Sequence, residues 1–239
     1  MDLIINQAYN VFNYPKPTSI TNVCTECCMP KDRARLLLTT TLNEIPLELL
    51  QEYNDGAQAM CFDRIEFSYF LPRYLELISQ FQFTSAIDVS LSLKNLKFDC
   101  KEFWTDEKEV KSIHDFSIAF FEKCLKTKAF SDNTQLIEIL NMFYVSCFDV
   151  NFLLSIWLAD LNNYAVVHLE QLISDNFNYR GKMHTNGFVN SELNSILEDW
   201  IKSNKQIVLT AIEKHIISSV LQEEQLQKLS YLYDTINYI

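Results

Sequence analysis

Glycine and proline are scarce in this chain, which has 3 Gly and 5 Pro among its 239 residues. β-Sandwiches and nucleotide-binding α/β folds need more glycine for their tight turns and phosphate loops, so helices are favoured. Basic residues are also in deficit, because 20 Lys and Arg stand against 31 Asp and Glu and leave a formal charge of −11. Such a surface repels phosphate backbones, which argues against direct nucleic-acid binding and favours a basic protein partner.

Motifs of established catalytic sites are absent from the sequence, which contains no GxSxG, HExxH, Walker A or GxGxxG pattern. Glu44, Glu48 and Glu52 recur every four residues and would share one helical face. No pocket-forming residues accompany them, so a solvated face is the better interpretation. We therefore predict that the protein is not an enzyme and uses no cofactor.

The seven cysteines form an odd set, and several lie in apolar helical patterns, which predicts a reducing, cytoplasmic location. Cys24, Cys27 and Cys28 contain a CxxC motif that can offer thiolates to zinc or form a dithiol redox pair. A structural zinc needs four ligands, yet no second CxxC and no close histidine pair exists, and no thioredoxin-like pattern surrounds the motif. A metal site is therefore not predicted, and these three cysteines are its only candidate ligands.

Export and membrane insertion are not predicted either. The first residues lack a basic region and a long apolar stretch, so we expect no signal peptide. Residues 139–159 are apolar and long enough in principle to cross a bilayer, but Asp149 interrupts them at the middle. Two buried helices joined near Asp149 are the better interpretation.

Helical spacing of apolar residues, together with helix caps, covers most of the chain. Residues 133–173 carry two helices that are apolar almost all round, which predicts a central position in the fold. We predict an all-α, single-domain stack or bundle of helices over residues 1–239. The element lengths also allow a solenoid-like arrangement, which no fixed-period repeat supports. Three amphipathic helices are predicted near 191–203, 205–221 and 222–236.

Three features of the sequence argue against continuous helix. Pro15 and Pro17 predict that residues 1–30 form an extended N-terminal arm. Apolar residues alternate in part near 87–98, which predicts at most a short strand pair there. Pro72 must start a helix or kink one, and a helix that begins near Pro72 is the favoured interpretation.

The region from 129 to 179 contains no Lys or Arg but holds six Asp and Glu. Buried helices carry few charges and acids often cap helix starts, which is one interpretation. The other is an anionic patch that receives a basic partner, with aromatic anchors from the following loop. On that hypothesis the candidate toxin contacts are Asp160, Glu170, Asp175, Phe177, Tyr179 and Phe188. The alternative that Phe177 and Phe188 pack against the last helices stays open.

Three stretches resemble a bacterial family linked with polymorphic toxin systems, namely residues 24–30 (CTECCMP), 44–50 (EIPLELL) and 69–77 (YFLPRYLEL). The chain is similar to the helical immunity proteins of contact-dependent growth inhibition, most clearly over residues 24–81 and less over 100–126. The resemblance implies a monomeric immunity protein that binds an imported nuclease toxin in the cytosol and occludes its active site. It names no site residues.

An immunity role agrees with the acidic composition, because the partner would be a basic RNA- or DNA-cleaving domain. A ribonuclease of the EndoU type is one candidate toxin. Two other functions stay open. One is a helical adaptor or scaffold that binds peptides, and the other is a metal-dependent regulator built on Cys24, Cys27 and Cys28.

Overall fold

The structure is a computed structural model that describes residues 1–57, 62–130, 134–178, 182–185, 190–217 and 223–238. These residues form eleven α-helices and no β-strand, which confirms the all-α prediction. The helices are α1 (Asp2–Val11), α2 (Lys31–Thr39), α3 (Leu47–Asp55), α4 (Arg64–Ser79), α5 (Glu107–Leu125), α6 (Leu136–Val145), α7 (Val150–Ala159), α8 (Asn163–Asn176), α9 (Ser191–Ser203), α10 (Lys205–Ile217) and α11 (Glu223–Tyr238). Short 3-10 turns span Leu42–Glu44 and Val89–Leu91.

The chain divides into two compact units. Unit 1 comprises Met1–Phe120 and Val145–Phe148, and unit 2 comprises Phe121–Tyr144 and Asp149–Ile239. Helix α5 therefore contributes residues to both units. This division does not decide whether the two units unfold together, so a single domain over residues 1–239 stays a prediction.

The N-terminal arm is helical over its first part, so the prediction that residues 1–30 are extended is wrong for Asp2–Val11. Ile5, Ala8 and Phe12 are buried at helical spacing on one side of this segment. The two prolines follow the end of α1 and do not interrupt it. Burial of its apolar face therefore stabilises α1, which ends before the first proline of the arm.

Helix α4 runs through Pro72, which contradicts the prediction that a helix begins there. Asp63 provides the earlier start, because its carboxylate accepts hydrogen bonds from the N–H groups of Ile65 and Glu66 at 2.8 and 3.3 Å. Pro72 removes one backbone hydrogen bond but is itself buried. Packing of α4 in unit 1 therefore outweighs the cost of the proline.

Residues near 87–98 form a 3-10 turn and further turns, and no strand pair is present in this described segment. Asp88 starts the 3-10 turn by accepting a hydrogen bond from the N–H of Ser90 at 2.8 Å. Ser90 and Ser92 are buried here, and Thr84 donates to the carbonyl of Ser92 at 2.9 Å. Buried serines break the apolar alternation, so no strand forms in this segment, in agreement with the prediction of at most a short strand pair.

Unit 2 is built around α6 and α7, as their apolar sequences predict. Asp149 caps α7 by accepting a hydrogen bond from the N–H of Asn151 at 3.0 Å, so the two helices are separate. Trp157 of α7 is fully buried, stacks on Trp200 with ring centroids 5.3 Å apart, and donates to the carbonyl of Ala165. Among the described residues, no helix combines the length and apolar character that crossing a membrane requires.

Candidate functional site

An open groove lies on unit 2, where the corner between α7 and α8 faces α10. Its volume is about 660 Å³. The corner forms one wall and α10 forms the other. The lining residues are Leu158, Ala159, Asp160, Leu161, Asn162, Ile207, Thr210, Ala211, Lys214 and His215.

Helix caps in the local sequence build the corner wall. The N–H of Asp160 donates to the carbonyls of Ile156 and Trp157 and closes the last turn of α7. Asn162 caps α8, because its side-chain oxygen accepts from two backbone N–H groups of the first turn at 3.0 and 3.1 Å. The corner is therefore fixed by hydrogen bonds at both helix ends.

Helix α10 is apolar on two sides, and unit 2 buries one of them. Ile207 lines the groove with 52% of its surface exposed, and Ile217 is 78% exposed further along α10. His215 joins α10 to the corner, because its Nε2 lies 2.9 Å from the carbonyl oxygen of Leu161. The groove side of α10 thus offers apolar surface to a partner. The buried side consists of Val208, Leu209 and Ile212.

Asp160 is an exposed carboxylate in the corner wall, at the C-terminal end of α7. Asp160 lies between two helix ends, because the carbonyl end of α7 disfavours a carboxylate and the N–H end of α8, which begins at Asn163, favours one. Within the part of the chain that the structure describes, its side chain forms no hydrogen bond and no ion pair. Lys214 also lines the groove, so the walls carry charge of both signs.

The three predicted acids do not form one cluster. Asp160 precedes α8 and Asp175 lies in its last turn, and a helix of 14 residues is about 21 Å long. Glu170 accepts a hydrogen bond from the Ser174 hydroxyl at 2.8 Å, and Asp175 accepts one from the Gln135 amide at 2.9 Å. Of the three, Asp160 is the one that lines the groove.

The predicted aromatic anchors begin with Phe177, which follows the end of α8 that is opposite the corner. Its side chain is half-buried, and its backbone forms an isolated bridge with Met183. Tyr179 and Phe188 lie outside the described residues. Their role as toxin contacts stays a prediction.

Glu198 fastens the segment after α8 onto α9, a contact that the sequence did not predict. Its carboxylate accepts from the N–H of Met183 and from Lys182 Nζ, both at 2.8 Å, and Lys202 Nζ lies 3.7 Å away. Burial raises the pKa of Glu198, but these donors outweigh burial, so the net pKa is lowered. The one sequence feature that could have indicated this contact is Lys182, a basic residue in a region with few basic residues.

Glu66 is a buried carboxylate of unit 1 with a structural role. It accepts hydrogen bonds from the N–H groups of Thr21 and Asn22 at 2.6 and 3.1 Å. The hydroxyls of Thr21 and Tyr53 also donate to it, at 2.7 and 2.9 Å. Four donors satisfy a carboxylate that is 3% exposed, so Glu66 joins the N-terminal arm to α3 and α4.

Glu109 is a second buried carboxylate of unit 1 and is also 3% exposed. Arg64 Nη1 pairs with it at 3.0 Å, and the hydroxyl of Tyr14 donates to it in a short hydrogen bond. The Arg64 guanidinium also lies over the rings of Tyr14 and Trp104, at 5.4 and 5.6 Å from their centroids. This cluster binds the N-terminal arm to α4 and α5 by charge-assisted hydrogen bonds.

Cys24, Cys27 and Cys28 come together at one tight turn of unit 1. Cys27 Sγ lies 3.1 Å from Cys24 Sγ and 3.3 Å from Cys28 Sγ. Tetrahedral zinc with Zn–S bonds of about 2.3 Å places its sulfurs about 3.8 Å apart, so these thiols are closer together than zinc ligation requires. No group of three or more His, Cys, Asp or Glu within the described ranges is arranged to hold a metal ion.

Two histidines that could in principle bind metal are engaged with the backbone instead. His168 Nε2 lies 2.8 Å from the carbonyl oxygen of Thr127, and its ring stacks on Phe130 with centroids 5.0 Å apart. His215 contacts the corner as described above. Comparison with known protein families, with curated proteins and with solved structures finds no match to this chain.

Proposed function

We propose that this chain is an immunity protein that binds a basic nuclease toxin through the groove on unit 2 and covers the active site of the toxin. The observation that carries the proposal is Asp160, an exposed carboxylate that lines the groove beside apolar surface and forms no hydrogen bond and no ion pair among the described residues.

The chemistry of the groove suits a partner that presents both a base and an apolar side chain. Asp160 attracts the base, and the net charge of −11 steers a basic domain toward the chain at long range. Ile207 and the neighbouring apolar wall provide the desolvated contact that slows dissociation. Nuclease domains are basic because they bind phosphate backbones, so they fit this description.

The resemblance supports the role but not the location of the site. Its clearest stretch, residues 24–81, lies in unit 1, whereas the groove lies in unit 2. The groove is therefore proposed from its own geometry. On this account unit 1 carries the family likeness and unit 2 carries the contact with the toxin.

The direct test is neutralisation of a toxin. The resemblance implies that a large toxin gene lies immediately upstream of this chain's gene, and the probe is the C-terminal domain of that toxin, produced with and without this chain. We expect the chain to form a complex with that domain in equal amounts, to abolish its cleavage of RNA or DNA, and to protect cells that produce it. A basic nuclease from an unrelated family serves as the control and should be neither bound nor inhibited.

The helical adaptor is the second candidate function, and the exposed side of α10 favours it. Ile207, on the groove side of α10, would contact an amphipathic peptide in the same way as it would contact a toxin. The two functions differ in the outcome of the same experiment. A complex that forms while cleavage of nucleic acid continues at its full rate would support the adaptor and contradict the immunity role.

A further inference from the structure

The cysteine turn of unit 1 has the geometry of a reactive dithiol. Backbone hydrogen bonds from the N–H groups of Cys28 and Met29 to the carbonyl of Cys24 hold the turn at 3.2 and 3.0 Å. The N–H of Cys24 donates to the carbonyl of Ala57 at 3.1 Å, which ties the turn to the end of α3. Cys27 is exposed and its two neighbours are half-exposed, so small reagents reach all three sulfurs.

Tight packing beneath the turn keeps the sulfurs in place. Val23 and Met29, on either side of the turn, are buried. A Cβ atom on Gly56 would lie 2.0 Å from Val23 Cγ2 and 3.3 Å from Cys28 Cβ, so the turn rests directly on the backbone at position 56. Close approach of this kind requires glycine and limits the movement of the turn.

We propose that Cys24 and Cys27 form a thiol–disulfide exchange site whose substrate is a low-molecular-weight disulfide. The site goes beyond the immunity function and does not depend on it. It rests on the 3.1 Å contact between Cys24 Sγ and Cys27 Sγ, on the exposure of Cys27 and on the fixed turn.

The hydrogen bonds between the sulfurs assign the two roles. Cys27 donates to Cys24, and this hydrogen bond lowers the pKa of Cys24. Hydrogen bonds with Cys24, which has the larger effect, and with Cys28 raise the pKa of Cys27 to about 12. A thiolate and not a thiol attacks a disulfide, so Cys24 is the attacking residue and Cys27 the resolving one.

The exchange proceeds in two balanced steps. The Cys24 thiolate attacks one sulfur of the disulfide, whose S–S bond breaks, and a mixed disulfide forms while one thiolate leaves. Cys27 then loses its proton to water and attacks Cys24 Sγ, which forms the Cys24–Cys27 disulfide and releases the second thiolate. The two protein thiols are oxidised by two electrons, and the small disulfide is reduced to two thiols.

Cys27 is the resolving residue because its Sγ contacts Cys24 Sγ at 3.1 Å, whereas the sulfur of Cys28 contacts that of Cys27. The backbone position of Cys28 also prevents it from competing with Cys24 for Cys27. Consecutive Cα atoms are about 3.8 Å apart, whereas disulfides usually join Cα atoms about 4.4–6.8 Å apart. A bond between Cys27 and Cys28 would therefore be strained. Cys24 and Cys27 are separated by two residues and avoid this restriction.

The test uses the full reduced chain and oxidised glutathione as the probe, with intact mass and peptide mapping as readouts. We expect the wild type to lose two titratable thiols and to gain a Cys24–Cys27 disulfide with no lasting glutathione adduct. Cys27→Ser should accumulate one glutathione on Cys24. Cys24→Ser should react about tenfold more slowly than wild type, because it removes the thiolate that the Cys27 S–H donor stabilises.

Matched controls are Cys28→Ser and Cys147→Ser, the latter an exposed cysteine of unit 1 outside the turn. Both should form the Cys24–Cys27 disulfide, and Cys147→Ser should do so at the wild-type rate. A stable glutathione adduct on Cys24 of the wild-type chain, or oxidation of Cys24→Ser as fast as wild type, overturns the proposal. Neither result bears on toxin binding, so the two proposals fail independently.

Discussion

Asp149 and Asp160 stand at opposite ends of helix α7, and their carboxylates act on it in opposite ways. Asp149 accepts the N–H of Asn151 at 3.0 Å and stabilises the positive end of the helix dipole. Asp160 lies at the negative end. One acid of the base-poor region is therefore a helix cap, whereas the side chain of the other forms no hydrogen bond among the described residues.

This contrast predicts unequal changes in stability. Replacing Asp149 by Ala removes the cap and should lower the free energy of unfolding by about 1 kcal/mol. Asp160→Asn removes a charge that α7 disfavours and α8 favours, so a change within about 0.5 kcal/mol is expected. Urea unfolding measures both, and Asp149→Asn, which retains a capping side chain, is the control expected to stay near wild type. Equal destabilisation by the Asp149→Ala and Asp160→Asn changes would give Asp160 a structural role.

Glu66 predicts a large loss of stability in unit 1. Replacing it by Ala leaves the buried donors of Asn22 and Tyr53, and the donors of the exposed Thr21, without this acceptor and should cost about 3 kcal/mol. The matched control is Glu48→Gln, an exposed glutamate of α3 for which a change within about 0.5 kcal/mol is expected. Chemical unfolding followed by near-UV circular dichroism measures both variants. A Glu66→Ala protein as stable as the control would contradict the structural role of this carboxylate.

The ion pairs of Glu198 predict that the stability of unit 2 falls at low pH. Its pKa in the folded protein lies below the ordinary value of 4.5, so its contribution to stability is fully present above that value. The contribution is lost as the pH falls through the lower folded-state pKa. Glu198→Gln should therefore show a flatter loss of stability below about pH 4.5 than wild type. Unfolding at a series of pH values checks this, and Asp199→Asn, an exposed neighbour, should retain the wild-type slope.

Local signals in the sequence predicted much of the secondary structure. The caps of α7 and the apolar periodicity of α5, α6 and the last three helices all correspond to helices in the structure. The errors came from giving prolines more weight than burial. Residues 2–11 are helical because Ile5, Ala8 and Phe12 pack on one side. In the sequence alone, no local signal for this helix was stronger than the prolines that follow it.

Contacts between distant residues could not be predicted from one sequence. The groove depends on the approach of His215 to Leu161, which are 54 residues apart, and Glu66 meets Thr21 across 45 residues. The base-poor region did identify Asp160, since charge composition is visible without a fold. The sequence could not show that Asp160 and Asp175 lie at opposite ends of one helix and so serve different surfaces.

The exposed side chain of Ile207 should slow the dissociation of the toxin from this chain. Ile207→Ala removes exposed apolar surface from the groove wall without disturbing the buried side of α10. We expect faster dissociation of the toxin domain encoded upstream, by about tenfold, with an unchanged association rate. Stopped-flow binding or surface-based kinetics separates the two rates. Leu3→Ala, which truncates an exposed leucine of unit 1, should leave both rates at wild-type values.

The central claim is that the toxin approaches the groove beside Asp160, and its association rate across ionic strength tests this most directly. The same toxin domain is mixed with wild type, Asp160→Asn and Asp175→Asn at several salt concentrations. The account predicts that association with wild type slows as salt rises, and that Asp160→Asn slows it at low salt and weakens the salt dependence. Asp175→Asn, altered at the far end of α8, should follow wild type. Salt-independent association, or equal effects of the two substitutions, would contradict binding at this groove.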